Sequence, residues 1–200
     1  HAEIETRVTD GENPQLALRI KPGEPVQTTG CWQDFAVVAP GQGPMGVNKL
    51  PLGVSPEMML SILGITGMTA YFGLLEHGQP EEGETVLVSG AAGATGSVVG
   101  QIARLQGCRT IGIAGGEKKC AWLTDVAKFD GAIDYKGCDD LQAAIAEVIP
   151  DGVEVFFDNV GGETLDAVLP NMALHGRIVA SGSVSQYGKA AQYGVKNLPL

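Results

Sequence analysis

The chain has 200 residues, 44% hydrophobic and 18% charged, which supplies enough apolar material for a core and too little charge for a disordered tail or a coiled coil. Its 13 basic and 23 acidic residues give a net charge of −10, which repels phosphate backbones and argues against a general nucleic-acid binder, though not against an anionic small molecule where cations concentrate. The 29 glycines are about twice the usual share of roughly 7%; they follow no G-X-Y period, which excludes collagen and points to tight turns or close backbone approach to a ligand.

Pro14, Pro22, Pro25, Pro40, Pro44 and Pro51 punctuate the first fifty residues, around candidate strands at Pro25–Thr29 and Trp32–Val38. This is β structure with loops, too little to close a sheet or barrel alone. The chain starts at His1 rather than Met and shows no secretory leader pattern; the expectation is a fragment, or a chain whose earlier part is missing. Ser55-Pro56-Glu57 reads as a helix start, with Ser as cap, Pro at the first helical position and an acid in the first turn. Met58–Leu75 carries no charge and just reaches the span threshold of about 18 residues. Its glycines and hydroxyls, and the lack of basic anchors, favour a buried helix pair at Met58–Leu63 and Thr66–His77, stopped at Gly78, over a membrane span.

Strands and helices then alternate. Strands are predicted at Thr85–Ser89, Arg109–Ala114, Gly131–Tyr135, Val153–Asp158 and Arg177–Ser181, with helices at Thr95–Leu105, Lys118–Ala127, Leu141–Val148 and Thr164–Met172. Continuous apolar runs separated by amphipathic helices predict an α/β fold: a Rossmann-type, doubly wound parallel sheet covered on both faces. A six-stranded version needs one more strand after Leu200. Cys31, Cys108, Cys120 and Cys138 form no C-x-x-C pair, and none stands at ligand spacing from His1, His77 or His175. Reduced thiols in a cytoplasmic protein, with no metal site, are expected.

The segment Ser89-Gly90-Ala91-Ala92-Gly93-Ala94-Thr95-Gly96-Ser97-Val98-Val99-Gly100 follows the first strand of this series and opens its first helix, which is the context a dinucleotide fingerprint requires. Ala91 stands where the first glycine usually is. Gly93 lets the backbone approach a pyrophosphate, Gly96 and Gly100 let the helix pack close to the strand, and the helix N-terminus offers N–H groups to the anion. A tight βα turn with no ligand is the plain alternative. The second strand ends Ile113-Ala114-Gly115-Gly116 without the carboxylate that NAD sites use for the ribose; Glu117-Lys118-Lys119 follows. Room and a nearby cation suit the 2′-phosphate of NADP, with Glu117 the residue that argues the other way. There is no P-loop and no G-x-S-x-G elbow, and no tyrosine has a lysine four residues later, as short-chain dehydrogenases require. A methyltransferase usually wants an acid near the first glycine turn, and Val88-Ser89 offers none.

Four segments occur in order: Gly67-Met68-Thr69-Ala70-Tyr71-Phe72-Gly73, Ala91 to Gln101, Asp158-Asn159-Val160-Gly161-Gly162, and Gly176-Arg177-Ile178-Val179. Together they resemble the zinc-independent medium-chain dehydrogenase/reductases, in the branch of prostaglandin reductases, alkenal/one oxidoreductases and bacterial curcumin reductases. The resemblance runs from about Trp32 to Leu200. It implies a remnant of a GroES-like β substrate domain in residues 1–64 and an NADP-binding Rossmann domain in 65–200, incomplete at its C-terminal end. It implies NADPH-dependent reduction of the C=C bond of α,β-unsaturated ketones and aldehydes. By position, Ala94, Thr95, Gly96 and Ser97, with Gly93, meet the pyrophosphate; Lys119 binds the 2′-phosphate; Tyr135 sits beside the adenosine ribose phosphate; Asn159 contacts the cofactor. Ser181, Gly182, Ser183, Val184 and Ser185 form the loop near the nicotinamide, and Tyr187 faces the substrate as the candidate catalytic residue.

The implied partner is a small-molecule enone, with a quinone as the alternative acceptor on the same fold; neither nucleic acid nor membrane is expected. Members of the group are often dimers through an edge strand of the cofactor domain, which keeps a homodimer open for the complete protein. A non-catalytic nucleotide-binding module is the rival reading from another class.

Overall fold

The computed structural model describes residues 23–28, 34 and 47–188. Cys31, and the expected strand at Trp32–Val38 apart from Asp34, lie outside them. The chain divides into two units, His1–Leu60 and Ser61–Leu200.

In the first unit β1 (Val26–Thr28) pairs antiparallel with β2 (Val47–Lys49), which places Val26 opposite Lys49. α1 (Pro56–Leu60) starts as its sequence requires: the Ser55 hydroxyl accepts the Met58 N–H at 3.3 Å. The helix is only five residues long and buries none of them.

The second unit opens with α2 (Ile65–Phe72), which passes into a wide π-helical turn at Gly73–Gly78 and ends at Gln79, in the left-handed region at φ 44°. The single helix expected at Thr66–His77 is therefore two kinds of helix. Cβ atoms at Gly73 and Gly78 would stand 2.9 Å from Phe157 and 3.2 Å from Val155; the i→i+5 turn brings both glycines, five residues apart, onto the sheet. The expectation of a buried helix pair is corrected. α2 and its turn bury only Gly67, Ala70, Leu74 and Gly78, while Ile65 is 60% exposed and Phe72 47% exposed. Small residues bring one side of the helix close to its neighbours, and its large apolar side chains stand on the other.

Five parallel strands follow: β3 (Thr85–Ser89), β4 (Arg109–Ala114), β5 (Gly131–Asp134), β6 (Val153–Asp158) and β7 (Met172–Ala180), in the spatial order β5-β4-β3-β6-β7. Between them run α3 (Ala94–Leu105), α4 (Glu117–Asp125), α5 (Leu141–Val148) and α6 (Gly162–Val168). This is the Rossmann-type doubly wound arrangement. Each strand alternates between two cores. Val86, Val88 and Phe157 join Leu74, Val99, Leu123 and Phe129 on one face, while Leu87, Ile111, Ile113 and Phe156 join Ile145 and Val168 on the other.

Three local readings change. α6 ends before the expected Met172 because Pro170, without an N–H, sits in a 3-10 turn at Leu169–Asn171. β7 begins earlier than Arg177, across an irregularity where His175 takes φ 66°. Gly100 serves a contact beyond the helix–strand approach: a Cβ there would lie 1.9 Å from the Phe129 ring, so it is the ring's socket on α3. Among the described residues, no helix is long and apolar enough to cross a membrane.

Candidate functional site

The strand order reverses at β3, whose chain successor β4 lies on one side and β6 on the other. Open α/β sheets bind ligands outside the carboxyl ends of the strands at such a point. Here those ends are stitched together. The Ser89 hydroxyl, closing β3, donates to Asp158 Oδ1 at 2.7 Å and accepts the Asn159 N–H at 2.8 Å. Asn159 Nδ2 donates to the Ser89 carbonyl at 2.8 Å. Asp158 also accepts the Val160 and Gly161 N–H groups, at 2.9 and 3.0 Å, which shapes the turn into α6. Ser89 and Asp158 are buried, and every one of these donors has an acceptor, as a buried polar cluster requires.

Above this floor lies a cleft of about 1320 Å³. One wall is the glycine turn. Gly90 takes φ +57°, which a side chain rarely adopts, and a Cβ at Gly96 would stand 2.5 Å from the Gly90 carbonyl oxygen. The turn therefore closes backbone on backbone, and Gly93, Ala94, Thr95 and Gly96 all line the cleft. α3 has no acid in its first turn. Its leading N–H groups have no partner along the helix, and its dipole favours an anion there.

The second wall comes from the ends of β4 and β5. Lys119 and Tyr135 line it, whereas Lys118 and Glu117 do not. Asp134 Oδ1 accepts the Gly116 N–H at 2.7 Å and the Lys136 N–H at 2.9 Å. These two hydrogen bonds, Gly116's first, hold its carboxyl below the ordinary carboxylate range. The third wall is the turn after β6, with Asn159, Gly161 and Gly162, backed by the segment after β7. Ser181 and Gly182 N–H groups donate to the Asp158 carbonyl at 2.9 and 3.1 Å, and Ser185 N–H donates to the Val160 carbonyl at 3.2 Å.

Of the residues singled out from sequence, Gly93, Ala94, Thr95, Gly96, Lys119, Tyr135, Asn159, Val184 and Ser185 meet on this one cleft. Ser97, Ser181, Gly182, Ser183 and Tyr187 are not part of its lining. Ser97 turns its hydroxyl onto the Ala94 carbonyl at 3.2 Å. Tyr187 is 67% exposed at the end of a 3-10 turn, Val184–Gln186. Sequence reasoning missed Ser89, Asp158 and Asp134, none of which lines the cleft. The one available signal was a polar residue closing each of three apolar strands.

These residues suit a dinucleotide: a glycine turn without Cβ atoms at its tightest point, a helix N-terminus that favours an anion, and a lysine on the second wall of the same cleft. Among the described residues, no three His, Cys, Asp or Glu side chains come together to hold a metal ion.

Residues 94–199 match the family described as zinc-binding dehydrogenase. The chain belongs to that family. It is 43% identical over 84% of its length to the NADP(+)-dependent 2-alkenal reductase of Nicotiana tabacum, covering 48% of that protein. It is 39% identical over 98% of its length to the NADPH-dependent curcumin reductase of Escherichia coli, covering 54% of it. The crystal structure of CurA from Vibrio vulnificus in complex with NADPH superposes with a TM-score of 0.65 at 43% identity, over 74% of this chain and 44% of that one. The chain spans about half the length of the curated relatives it matches. The similarity runs to the alkenal, curcumin and prostaglandin reductase branch that the sequence motifs resemble.

Proposed function

We propose that the complete protein is an NADPH-dependent oxidoreductase that reduces the C=C bond of α,β-unsaturated ketones and aldehydes, and that residues 65–200 are its cofactor half. Residues 1–64 then belong to the substrate domain. The observation that carries this reading is the meeting of the Gly93–Gly96 turn, Lys119 and Asn159 on one cleft at the point where the strand order reverses. The relatives' NADP dependence supports it.

NADPH, when bound, supplies the hydride that reaches the β-carbon of the enone, with a proton added at the α-carbon. The chain's own residues bind and orient. The α3 N-terminus, with Gly93, Ala94, Thr95 and Gly96, takes the diphosphate, and Ser97 next to them supports the turn through its hydroxyl on the Ala94 carbonyl. Lys119 neutralises the 2′-phosphate, and Tyr135 lies against the adenosine end. Asn159 donates one of its two amide hydrogens to the Ser89 carbonyl, which fixes the amide's orientation and leaves its carbonyl oxygen to accept from a hydroxyl or amide of the cofactor. Ser181, Gly182, Ser183, Val184 and Ser185 border the nicotinamide end, and Tyr187 faces the substrate. No residue in this scheme uses zinc, in keeping with the scattered His and Cys. The thiols of Cys108 and Cys120, which burial pushes up and so keeps protonated, suit a reducing cytoplasm. The net charge of −10 disfavours nucleic acid as a partner.

Calorimetric titration with NADPH and with NADH, repeated on Lys119→Ala, tests the reading. NADPH is expected to bind at least about tenfold more tightly than NADH, and Lys119→Ala to remove most of that difference. Equal binding of the two cofactors by the wild type would refute the 2′-phosphate assignment. Enones and quinones offered to the full-length enzyme then separate the two acceptor classes.

A further inference from the structure

The adenosine end of the cleft is built from two turns that belong to different strands. The turn after β4 carries Gly115, Gly116 and, one helical turn on, Lys119. The turn after β5 carries Tyr135 and Lys136. They touch directly: a Cβ at Gly115 would stand 2.8 Å from Tyr135 Cε1 and 3.0 Å from Lys136 Cε. Gly116 is the pivot of the first turn. It sits at φ +95° before α4, and that helix has no side-chain cap of its own at this position. Its carbonyl accepts the Lys119 N–H at 3.0 Å and the Cys120 N–H at 3.2 Å. Its N–H reaches across to Asp134 Oδ1 at 2.7 Å, and the same oxygen accepts the Lys136 N–H at 2.9 Å. One carboxylate oxygen therefore does two things. It closes the local turn after β5, and it supplies from the neighbouring strand the acceptor that the start of α4 lacks.

We propose that Asp134 is a positioning residue: it ties the turn carrying Lys119 to the turn carrying Tyr135, and thereby sets how well the cleft holds a 2′-phosphate. This rests on the reading of the cleft as an NADPH site. A carboxylate this close to a phosphate site would ordinarily repel the ligand. Here two backbone N–H groups absorb its charge, and Lys136 adds a favourable charge beside it. The acid that NAD sites place at the end of the second Rossmann strand is absent from β4. The acid at the end of the adjoining strand, in register with Ala114, is turned onto backbone instead of ribose.

The test uses the 200-residue chain, adenosine 2′,5′-bisphosphate and adenosine 5′-monophosphate as calorimetric probes, and three variants whose folding is checked by thermal melting. Wild type should prefer the bisphosphate. Asp134→Ala should weaken the bisphosphate roughly tenfold and the monophosphate by less than about twofold. Asp134→Glu keeps the charge but misplaces the oxygen, and should show the same selective loss. Asp134→Asn keeps an oxygen at the same place, and should stay within about threefold of wild type. The Glu variant carries the test if the Ala variant fails to melt cooperatively. The proposal is overturned if folded Asp134→Ala and Asp134→Glu bind the bisphosphate as wild type does, or if both probes weaken equally, which is general loosening. It is also overturned if Asp134→Asn binds the bisphosphate more tightly, since the carboxylate would then be a repulsive charge. A wild type that does not distinguish the two probes refutes the cofactor reading itself, before Asp134 enters, and takes the proposal with it.

Discussion

The floor of the cleft and its rim at Asp134 and Tyr135 are held by the same kind of bond in opposite surroundings. At the floor, Asp158 and Ser89 are buried and accept or donate to every polar group around them. At the rim, Asp134 makes comparable bonds, but Tyr135 beside it is 48% exposed. Water replaces a lost partner more readily at the rim than beside the buried Ser89 and Asp158. Damage to the floor should therefore be read in stability, and damage to the rim in ligand affinity.

Asp158→Ala is the severest way to test that contrast. It takes the acceptor from the Ser89 hydroxyl and from the Val160 and Gly161 N–H groups at once, and should cost about 3 kcal/mol in chemical denaturation. A loss under about 1 kcal/mol would mean that water already reaches the floor. Ser89→Ala comes next. It orphans the Asn159 N–H and removes one donor from Asp158, an expected loss of about 1–2 kcal/mol accompanied by weaker NADPH binding, because Asn159 loses one of its two anchors.

Glu84 and Arg177 provide a control outside the cleft. Arg177 NH1 donates to Glu84 Oε1 at 2.7 Å, and its Nε donates to the Gly78 carbonyl at 3.0 Å, which pins the end of the π-helical turn. The guanidinium's hydrogen bonds hold the Glu84 carboxyl below its ordinary value of 4.5. The folded form thus binds this proton more weakly than the unfolded chain does. The pair's contribution is complete above about pH 4.5 and is lost as pH falls through the lower folded value. Glu84→Gln should cost about 1 kcal/mol at neutral pH and flatten the acid limb of a stability profile, leaving NADPH affinity unchanged. An unaltered acid limb would remove Glu84 from the account. The smallest stability effect belongs to the rim. Gly115→Ala pushes aside a half-exposed tyrosine ring, at a cost of about 0.5 kcal/mol or less, while NADPH affinity falls several-fold. A large loss of stability there would break the distinction between floor and rim.

The legible parts of the chain are those written in local chemistry. β3, β4, α5 and β6 have the predicted bounds, because apolar runs between glycine and proline breaks leave the backbone few choices. The glycine turn and Lys119 were readable because each has a local requirement, absence of a Cβ in one case and a cation near a strand end in the other. The wide turn at Gly73–Gly78 was not readable, since its reason is the sheet surface beneath it. Pro170 could have warned that α6 stops early, but the strand that starts at Met172, directly after the 3-10 turn, depends on pairing with β6.

An alternating α/β chain and its glycine turn could be read from residues alone, because these depend on neighbours a few residues apart. The folded chain alone shows that Ser89 meets Asp158, that Gly100 receives Phe129, that Asp134 reaches Gly116, and that the apolar side of α2 stays exposed. Those are contacts between segments far apart in the chain, whose geometry is set by strand order and helix packing rather than by local propensity.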